Sequence, residues 1–450
     1  MIPKTFTQRG APGWVAGQAC AQCRTDRMRH VRSATVLLFV SLAAACAGEK
    51  QTNESKPPAA PPKTEATVEA LPSPTGPGAA EPFLFTTRDG VGLSWLEPVA
   101  KTDRVALRFA TYRNSQWSAP RTIIERNDLF VNWADFPSVI EDTKGTLFAH
   151  WLQKSGSGTY SYDVQMAAST DGGATWSKPF LLNRDGKQSE HGFATLAALP
   201  NGGIGATWLD GRNMTMSGGD HEGHDAGDMT IRYATVDASG NIANDVELDR
   251  RTCECCTTGM TMTGSGPVIV YRDRSPDEIR DISYVRQTAT GWSEPRPVRA
   301  DGWKINGCPV NGPQIDAIGN RAVTAWFTAA NEQQRVYAAF SDDGGATFGD
   351  AVTIDDGKPV GRVDVVLLDA DTAVVTWLEQ TANGAEIRAR RVPRSGKPAP
   401  SVKIADSGTA RAAGFARIAR TGDYVWFTWT EQKAQGTSVA KRVHVARARL

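Results

Sequence analysis

Seven short segments, each ending in a large aromatic residue, recur along the chain at nearly even spacing. They are runs of apolar and β-branched residues such as Val91-Gly-Leu-Ser-Trp95, a composition that favours strands. The aromatic positions are Trp95, Trp151, Trp208, Tyr271, Trp326, Trp377 and Trp429, separated by about 51–63 residues. That spacing accommodates four strands with their loops. The repeat predicts an all-β fold, a β-propeller of seven four-stranded blades, with six blades as the alternative.

The two ends of the repeat region are expected to meet. The last predicted strand, Arg442–Arg447, lies almost at the end of the chain and would leave an open sheet edge. A segment near residues 64–72 can close the ring by pairing with that blade.

The N-terminal region has the features of an export signal. Arg29 and Arg32 precede an apolar run at residues 34–45, which is too short to span a bilayer and ends at Cys46. Ala43-Ala-Ala-Cys46 resembles a bacterial lipobox, which implies a lipidated Cys46 and a membrane as one partner. Ala47 after the cysteine suggests the outer membrane of a Gram-negative bacterium.

These features predict three parts of the chain. Residues 1–46 are interpreted as the signal peptide and lipobox region, with Met28 as the natural start. Residues 47–80 are a linker rich in Pro and Ala, and residues 81–450 are the propeller. The formal net charge of +1 does not favour nucleic acid as a partner.

Two octapeptides carry a turn motif of the form Ser-x-Asp-x-Gly-x-Thr-Trp. They are Ser169-Thr-Asp-Gly-Gly-Ala-Thr-Trp176 and Ser341-Asp-Asp-Gly-Gly-Ala-Thr-Phe348. The motif resembles the Asp box of the sialidase-like (BNR repeat) family. In that reading the aspartate accepts backbone amides, a glycine supplies positive φ and the aromatic residue packs between sheets. The predicted structural positions are Ser169, Asp171, Gly173, Trp176, Ser341, Asp343, Gly345 and Phe348.

The resemblance covers roughly residues 82–450 and implies a pocket on the propeller axis. An active sialidase of this type needs three arginines for the substrate carboxylate, a Tyr–Glu nucleophile pair and an Asp acid/base. The first arginine belongs to a Phe/Tyr-Arg-Ile-Pro motif, and the matching segment here is Ala134-Asp-Phe-Pro137. Asp135 would repel a carboxylate, so we do not expect sialidase activity.

Other residues keep anion binding and hydrolysis open. Arg272, Arg274 and Arg280 are weak candidates for binding an anion, with an ion-pair network as the alternative interpretation. Asp135 is a weak candidate for a catalytic carboxylate. Any enzymatic activity of this chain is expected to be glycoside hydrolysis of the sialidase-like kind.

Four cysteines of the propeller region fall in two segments that each open a blade. Cys253, Cys255 and Cys256 form Cys-Glu-Cys-Cys, and Cys308 follows one repeat later. The repeat register places both segments at the innermost strand, beside the axis. His191 and Asp135 occupy the equivalent places in the two preceding blades, so all these residues are expected in one region.

Methionine and histidine add to this concentration of soft ligands. Met214, Met216, His221 and His224 lie in one glycine-rich loop. Thiolate, thioether and imidazole together suit a soft metal such as copper(I), or zinc. Three alternatives stay open. The cysteines can form disulfides, for example Cys253–Cys308 with Cys255–Cys256; two of them can be a redox-active pair; and the histidine loop can be plain solvated surface.

The sequence therefore predicts a propeller on the cell envelope that binds a ligand or a soft metal ion at its axis. Two other functions remain as alternatives. One is an exo-acting glycoside hydrolase, and the other is a scaffold that binds a protein, a glycan or a small molecule.

Overall fold

Seven antiparallel sheets follow one another along the chain. The computed structural model describes residues 67–214, 227–435 and 438–450. A single strand, β1 (Val68–Leu71), precedes the first complete sheet. Blade one contains β2 (Ala80–Thr87), β3 (Gly90–Pro98), β4 (Val105–Arg113), β5 (Gln116–Trp117) and β6 (Arg121–Arg126). Blade two contains β7 (Ser138–Glu141), β8 (Leu147–Lys154), β9 (Tyr162–Ser169) and β10 (Phe180–Leu181).

The next three blades repeat this order. Blade three contains β11 (His191–Ala198), β12 (Ile204–Asp210), β13 (Thr230–Val236) and β14 (Ile242–Asp249). Blade four contains β15 (Gly259–Thr263), β16 (Gly266–Arg272), β17 (Ile282–Thr288), β18 (Gly291–Trp292) and β19 (Arg296–Pro297). Blade five contains β20 (Gln314–Ile318), β21 (Arg321–Thr328), β22 (Arg335–Ser341) and β23 (Val352–Thr353), with a 3₁₀ turn at Ala330–Glu332.

The last two blades complete the ring. Blade six contains β24 (Pro359–Asp369), β25 (Thr372–Thr381), β26 (Gly384–Pro393) and β27 (Val402–Ser407). Blade seven contains β28 (Arg417–Thr421), β29 (Tyr424–Gln435) and β30 (Ser438–Ala448), and its fourth strand is β1. The first strands β2, β7, β11, β15, β20, β24 and β28 each contact the first strands of both neighbouring blades, including β28 against β2. These strands therefore form a closed inner ring, and the prediction of seven blades is confirmed.

The seven aromatic residues lie on the second strand of each blade and form much of the core. Trp95, Trp151, Trp208, Trp326 and Trp377 are almost completely buried, and so is Tyr271. Trp429, in blade seven, is 8% exposed. Both faces of these strands are buried because neighbouring blades stack face to face, and the strands accordingly read as continuous apolar runs. This packing explains why the aromatic spacing in the sequence reports the number of blades.

The two Asp boxes lock the turn between the third and fourth strands of blades two and five. Asp171 accepts hydrogen bonds from the amide and the hydroxyl of Thr175, at 2.9 and 2.6 Å, and Ser169 binds the amide of Gly173 at 2.9 Å. Asp343 and Ser341 repeat these contacts with nearly identical distances.

The aromatic residue of each box packs on the blade before it. Trp176 meets Phe109 edge-on, with ring centroids 5.9 Å apart, and Phe348 meets Tyr284 at 5.0 Å. Gly173 has φ +83°, and a Cβ at this position would lie 2.2 Å from Phe109. The predicted structural roles of the motif are confirmed, and the motif bears on the fold rather than on chemistry. Within the described ranges, no helix is long and apolar enough to cross a membrane.

The ring is closed by pairing the two ends of the propeller region. β1 runs antiparallel to β30, with Val68 opposite Ala448 and Leu71 opposite Val445. Val68 and Leu71 also pack on the apolar clusters around blade seven. The expected closure by a segment near residues 64–72 is therefore confirmed.

Removal of β1 tests how much this closure stabilises the fold. A chain lacking residues 1–71 should lose stability relative to a matched chain lacking residues 1–63, which keeps β1. The loss should be on the order of 3 kcal/mol, because four residues give up ladder hydrogen bonds and apolar contacts. Urea unfolding of both chains measures the difference, and equal unfolding free energies would contradict a role for β1 in closure.

Candidate functional site

The mouth of the axis is built from the segments that lead into the inner strands. Four of these segments contain a non-glycine residue with positive φ, namely Glu81 (+51°), Phe193 (+51°), Val310 (+51°) and Arg362 (+60°). The pairing register shifts next to Glu81, Phe193 and Arg362, so the inner strands of blades one, three and six begin with a bulge. Bulges re-aim side chains, and here they decide which side chains face the axis.

Asp135 lies at this mouth and is almost completely buried. Its carboxylate accepts the amide of Phe193 from the next blade at 2.5 Å. Burial raises the pKa of Asp135 to about 7, although the Phe193 amide and the Arg417 guanidinium act in the opposite direction. The carboxyl group expected at this position by the sequence thus holds two inner strands together.

A tyrosine–glutamate pair adjoins Asp135. Tyr162 donates its hydroxyl hydrogen to Glu190 at 2.7 Å, and both side chains are buried. Burial raises the pKa of Glu190 to about 8, and the nearby charge of Asp135 adds to that increase. Burial and the same two carboxylates hold the pKa of Tyr162 well above its usual value. Sequence reasoning missed Tyr162, because no motif in the chain marks it.

His191 lies at the start of β11, but its side chain does not join the cysteines. Nε2 lies 3.2 Å from Asp185 and 3.7 Å from Asp210, and Nδ1 lies 3.4 Å from Asp163. Burial alone would lower the pKa of His191, but these carboxylates outweigh burial and raise it. Asp210 is also paired with Arg212 at 2.7 Å. His191 is therefore part of a network of charged side chains. Its side chain contacts these carboxylates and not the cysteines, unlike the sequence-based prediction.

The four cysteines form one sulfur cluster between blades four and five. Cys255 and Cys308 are joined by a disulfide, whereas Cys253 and Cys256 are free thiols. The Cys253 sulfur lies 3.4 Å from that of Cys256 and 3.9 Å from that of Cys255. The ligand atoms of Cys253, Cys255 and Cys256 all lie within 4.8 Å of one another, the spacing of a metal-binding group. The predicted proximity of the cysteines is thus present, while the connectivity differs from the Cys253–Cys308 option.

The three candidate arginines surround this cluster. Arg274 and Arg280 both pair with Glu278, at 2.7 and 2.8 Å, and both also contact Glu254. Arg272 donates to the backbone oxygens of Asn311, Arg280 and Phe327 and stacks on Trp303. All three side chains are buried with these partners. The contacts of Arg274 and Arg280 match the alternative of an ion-pair network, whereas Arg272 binds backbone oxygens, and a catalytic role of the three stays a prediction.

The guanidinium groups bear directly on the thiols. Arg280 lies 3.3 Å from the sulfur of Cys253. Burial alone would raise the pKa of Cys256, but the hydrogen bond from Cys253 and the charges of Arg272 and Arg280 lower it to about 6. Burial holds the pKa of Cys253 well above its usual value. The pair therefore holds one negative charge near neutral pH, stabilised chiefly at Cys256.

The space on the axis is small. A cavity of about 50 Å³ is lined by residues from blades one to five and seven, among them Asp135, Phe193, Thr258, Gln314 and Arg417. Ligand pockets for organic molecules usually enclose about 300–1,000 Å³. Among the residues that the structure describes, this axial cavity therefore has room for water but not for a sugar ring.

The remaining predicted ligands fall into two groups. Met214 belongs to the same apolar cluster as Cys255 and Cys308, together with Met229 and Met260. Met216, His221 and His224 lie outside the described residues.

The family assignment follows from the sequence itself. Residues 101–363 match the model of the BNR repeat-like domain, which is more than half of the chain. The chain belongs to this family. It is a sialidase-like BNR propeller, as the Asp boxes predicted, and a comparison with curated protein sequences gave no significant match.

Solved structures with a similar fold have low sequence identity to this BNR propeller. A protein of unknown function from Dyadobacter fermentans is 13% identical, with 86% of this chain and 98% of that chain covered and a TM-score of 0.48. The polysaccharide lyase Uly1 is 11% identical, with 82% and 89% covered and a TM-score of 0.49. The K499G mutant of the NanB sialidase from Streptococcus pneumoniae is 10% identical, with 85% and 94% covered and a TM-score of 0.43. These similarities concern the fold alone.

The raised pKa values of Asp135 and Glu190 predict a pH dependence of stability. Above about pH 4 the unfolded chain has both groups ionised, whereas the folded BNR propeller keeps them protonated until about pH 7 to 8. Stability should therefore fall as pH rises from 5 to 8. Asp135→Asn or Glu190→Gln should each remove on the order of 2 kcal/mol of that loss.

Urea unfolding at pH 5 and pH 8 measures this slope. His191 acts in the same direction because its pKa is also raised, so the variants are compared with the unmodified chain rather than with a flat line. Asp423→Asn, at an exposed carboxylate, is the matched control. An unchanged pH slope in both test variants would show that these carboxyl groups are ionised in the folded protein.

Proposed function

We propose that this propeller is a lipid-anchored envelope protein that binds one soft metal ion through the four cysteines at the mouth of its axis. Copper(I) suits this ligand set best, with zinc as the alternative. The observation that carries the proposal is the spacing of the sulfur atoms. The envelope location rests on the sequence around Cys46.

The sulfur spacing fits a shared ion. A metal with sulfur ligands at about 2.3 Å in tetrahedral geometry holds them about 3.8 Å apart. The Cys253 sulfur lies 3.4 and 3.9 Å from its two neighbours, and Cys308 is bonded to one of them. Three sulfurs already lie within reach of one ion, and Cys308 joins them once its bond to Cys255 is reduced.

The surrounding charge also favours bound thiolates. Cysteines bind metals as thiolates, so a site of this kind accumulates negative charge. Arg280 contacts Cys253, and Arg272 and Arg280 both act on Cys256. Two buried guanidinium groups thus offset charge that the cluster gains on deprotonation.

Complete ligation requires reduction of the Cys255–Cys308 bond. With the disulfide closed, Cys253 and Cys256 are the free thiols of the cluster and leave an ion under-coordinated. Metal affinity is therefore linked to the oxidation state of the cysteines. Met214, in the same apolar cluster, is a candidate for a further soft ligand, as are Met216, His221 and His224 of the loop.

One observation favours the alternative of a glycoside hydrolase. Tyr162, Glu190 and Asp135 combine the residue types of a sialidase nucleophile pair and acid. We nevertheless propose that the chain does not cleave sialosides. Tyr162 is fully buried, the axial cavity holds about 50 Å³, and the candidate arginines are engaged with Glu254, Glu278 and backbone oxygens.

Metal loading of the full chain tests the proposal. The reduced protein, prepared without oxygen, should bind about one copper(I) per chain in competition with a copper(I) chelator. Cys253→Ser, Cys256→Ser and Cys308→Ser should each weaken binding by roughly 100-fold or more, since each removes a direct ligand. Elemental analysis gives the stoichiometry and the competition gives the affinity.

Two controls make this result specific. Met166→Leu removes a buried sulfur in blade two, away from the cluster, and should leave loading unchanged. The oxidised protein should bind far more weakly than the reduced one. Failure of the reduced chain to bind copper or zinc would refute the metal site, and unchanged loading of Cys308→Ser would remove Cys308 from the ligand set.

An activity measurement tests the alternative that this chain is a glycoside hydrolase. The full chain should release no product from a fluorogenic sialoside under conditions where a sialidase is active. Hydrolysis that Glu190→Gln abolishes would overturn the non-catalytic interpretation and assign the Tyr162–Glu190 pair to catalysis.

A further inference from the structure

The sulfur cluster holds two oxidation states in contact. The free thiols Cys253 and Cys256 lie in the same four-residue segment as Cys255, which is bonded to Cys308. The Cys253 sulfur lies 3.9 Å from that of Cys255. A thiol this close to a disulfide sulfur is a potential attacking group. Metal binding does not by itself account for this pairing of a closed bond with two free thiols.

The two pairs differ in access to solvent. Cys253 is 1% exposed and Cys256 is 2% exposed, so external reagents do not reach them in the folded chain. Cys255 and Cys308 are half-buried, and we call them the outer pair and Cys253 and Cys256 the inner pair. Electrons held by the inner dithiol can therefore reach a partner only through the outer pair.

We propose that the four cysteines form a thiol–disulfide relay, in which the inner dithiol reduces the outer disulfide and presents a dithiol to an external disulfide. In the first step Cys253 passes its proton along its hydrogen bond to the Cys256 thiolate and attacks the Cys255 sulfur. The Cys253–Cys255 bond forms, the Cys255–Cys308 bond breaks, and Cys308 leaves as a thiolate and takes up a proton.

The second step completes the transfer. The Cys256 thiolate attacks the Cys253 sulfur, 3.4 Å away, and the Cys253–Cys256 bond forms. The Cys253–Cys255 bond breaks, and Cys255 leaves as a thiolate and takes up a proton. Two electrons and the single proton of the inner pair have moved to the outer pair, a second proton comes from solvent, and no external oxidant is needed.

The surrounding groups favour this exchange. Arg280 donates a hydrogen bond to the Cys253 sulfur, which carries charge in the first step and accepts attack in the second. Cys253 and Cys256 are three residues apart in one segment and need no movement of a blade to meet. Cys308 lies in the segment that precedes blade five. It is the leaving group because attack on Cys255 breaks the Cys255–Cys308 bond.

The product of the relay is a dithiol at Cys255 and Cys308. Its substrate is an external disulfide, and oxidised glutathione is the probe. Attack by Cys308 would form a mixed disulfide, which Cys255 would resolve to restore the starting outer bond. The inner pair is then the disulfide, and the two electrons that it held have passed to glutathione.

Disulfide mapping of the full chain tests the relay independently of metal. The protein is kept under chelators and without oxygen, incubated at pH 8, quenched in acid, alkylated and digested. We expect both Cys255–Cys308 and Cys253–Cys256 linkages, in a ratio that does not depend on protein concentration. On addition of oxidised glutathione, Cys308 should become glutathionylated.

Two variants distinguish the relay from other routes. Cys253→Ser keeps the Cys255–Cys308 bond and should show that linkage alone, with no glutathionylation of Cys308. Cys256→Ser should allow the first step and accumulate Cys253–Cys255 without Cys253–Cys256. Circular dichroism of both variants checks that they are folded.

Exclusive Cys255–Cys308 linkage in the unmodified chain after hours of incubation would overturn the relay, since exchange between free sulfurs occurs within that time. Glutathionylation of Cys308 in Cys253→Ser at the unmodified rate would also overturn it, because the inner thiol would then be unnecessary. Either result leaves the metal proposal standing, since that proposal concerns the fully reduced chain.

Discussion

The propeller depends on polar side chains of one blade that bind backbone amides of the next. Asp135 accepts the amide of Phe193, Asn311 accepts that of Arg362, and Asp364 accepts that of Ile418. Register shifts next to Phe193 and Arg362 free two of these amides from ladder pairing, and a buried amide without a partner would cost about 1–3 kcal/mol. These hydrogen bonds join blades two and three, five and six, and six and seven beside the axis.

The polar groups at the axis join the inner strands, whereas the reactive sulfur atoms lie elsewhere. The carboxyl groups that a sialidase-like fold directs to its axis are here engaged in holding the inner ring together. The sulfur cluster lies beside that ring, where blades four and five meet, and its residues come from segments that precede the inner strands. Chemistry can therefore vary in these segments without altering the pairing of the ring itself.

The sequence predicted those features that depend on packing repeated in every blade. The aromatic residues of the second strands and the two Asp boxes recur with fixed spacing, so their pattern reports blade number and turn position. Side-chain direction at the mouth could not be predicted in this way. The register shift between Gly192 and Thr195 breaks the alternation of faces, so His191 turns to Asp163, Asp185 and Asp210. Tyr162 and Glu190 are 28 residues apart and meet only through the stacking of two blades. The disulfide partner of Cys255 likewise depends on how two blade-opening loops approach each other.

The closure of blade seven has a consequence for the order of folding. β1 is made before any other strand of the propeller, yet its partner β30 lies at the opposite end of the chain. Six blades can form from neighbouring hairpins as the chain emerges, but the seventh must wait for the last residues. Until then β1 has no sheet to join, and the completed ring can appear only as a late, single event. The time between emergence and closure is the period in which β1 and the edge of β30 are open to pairing with another chain.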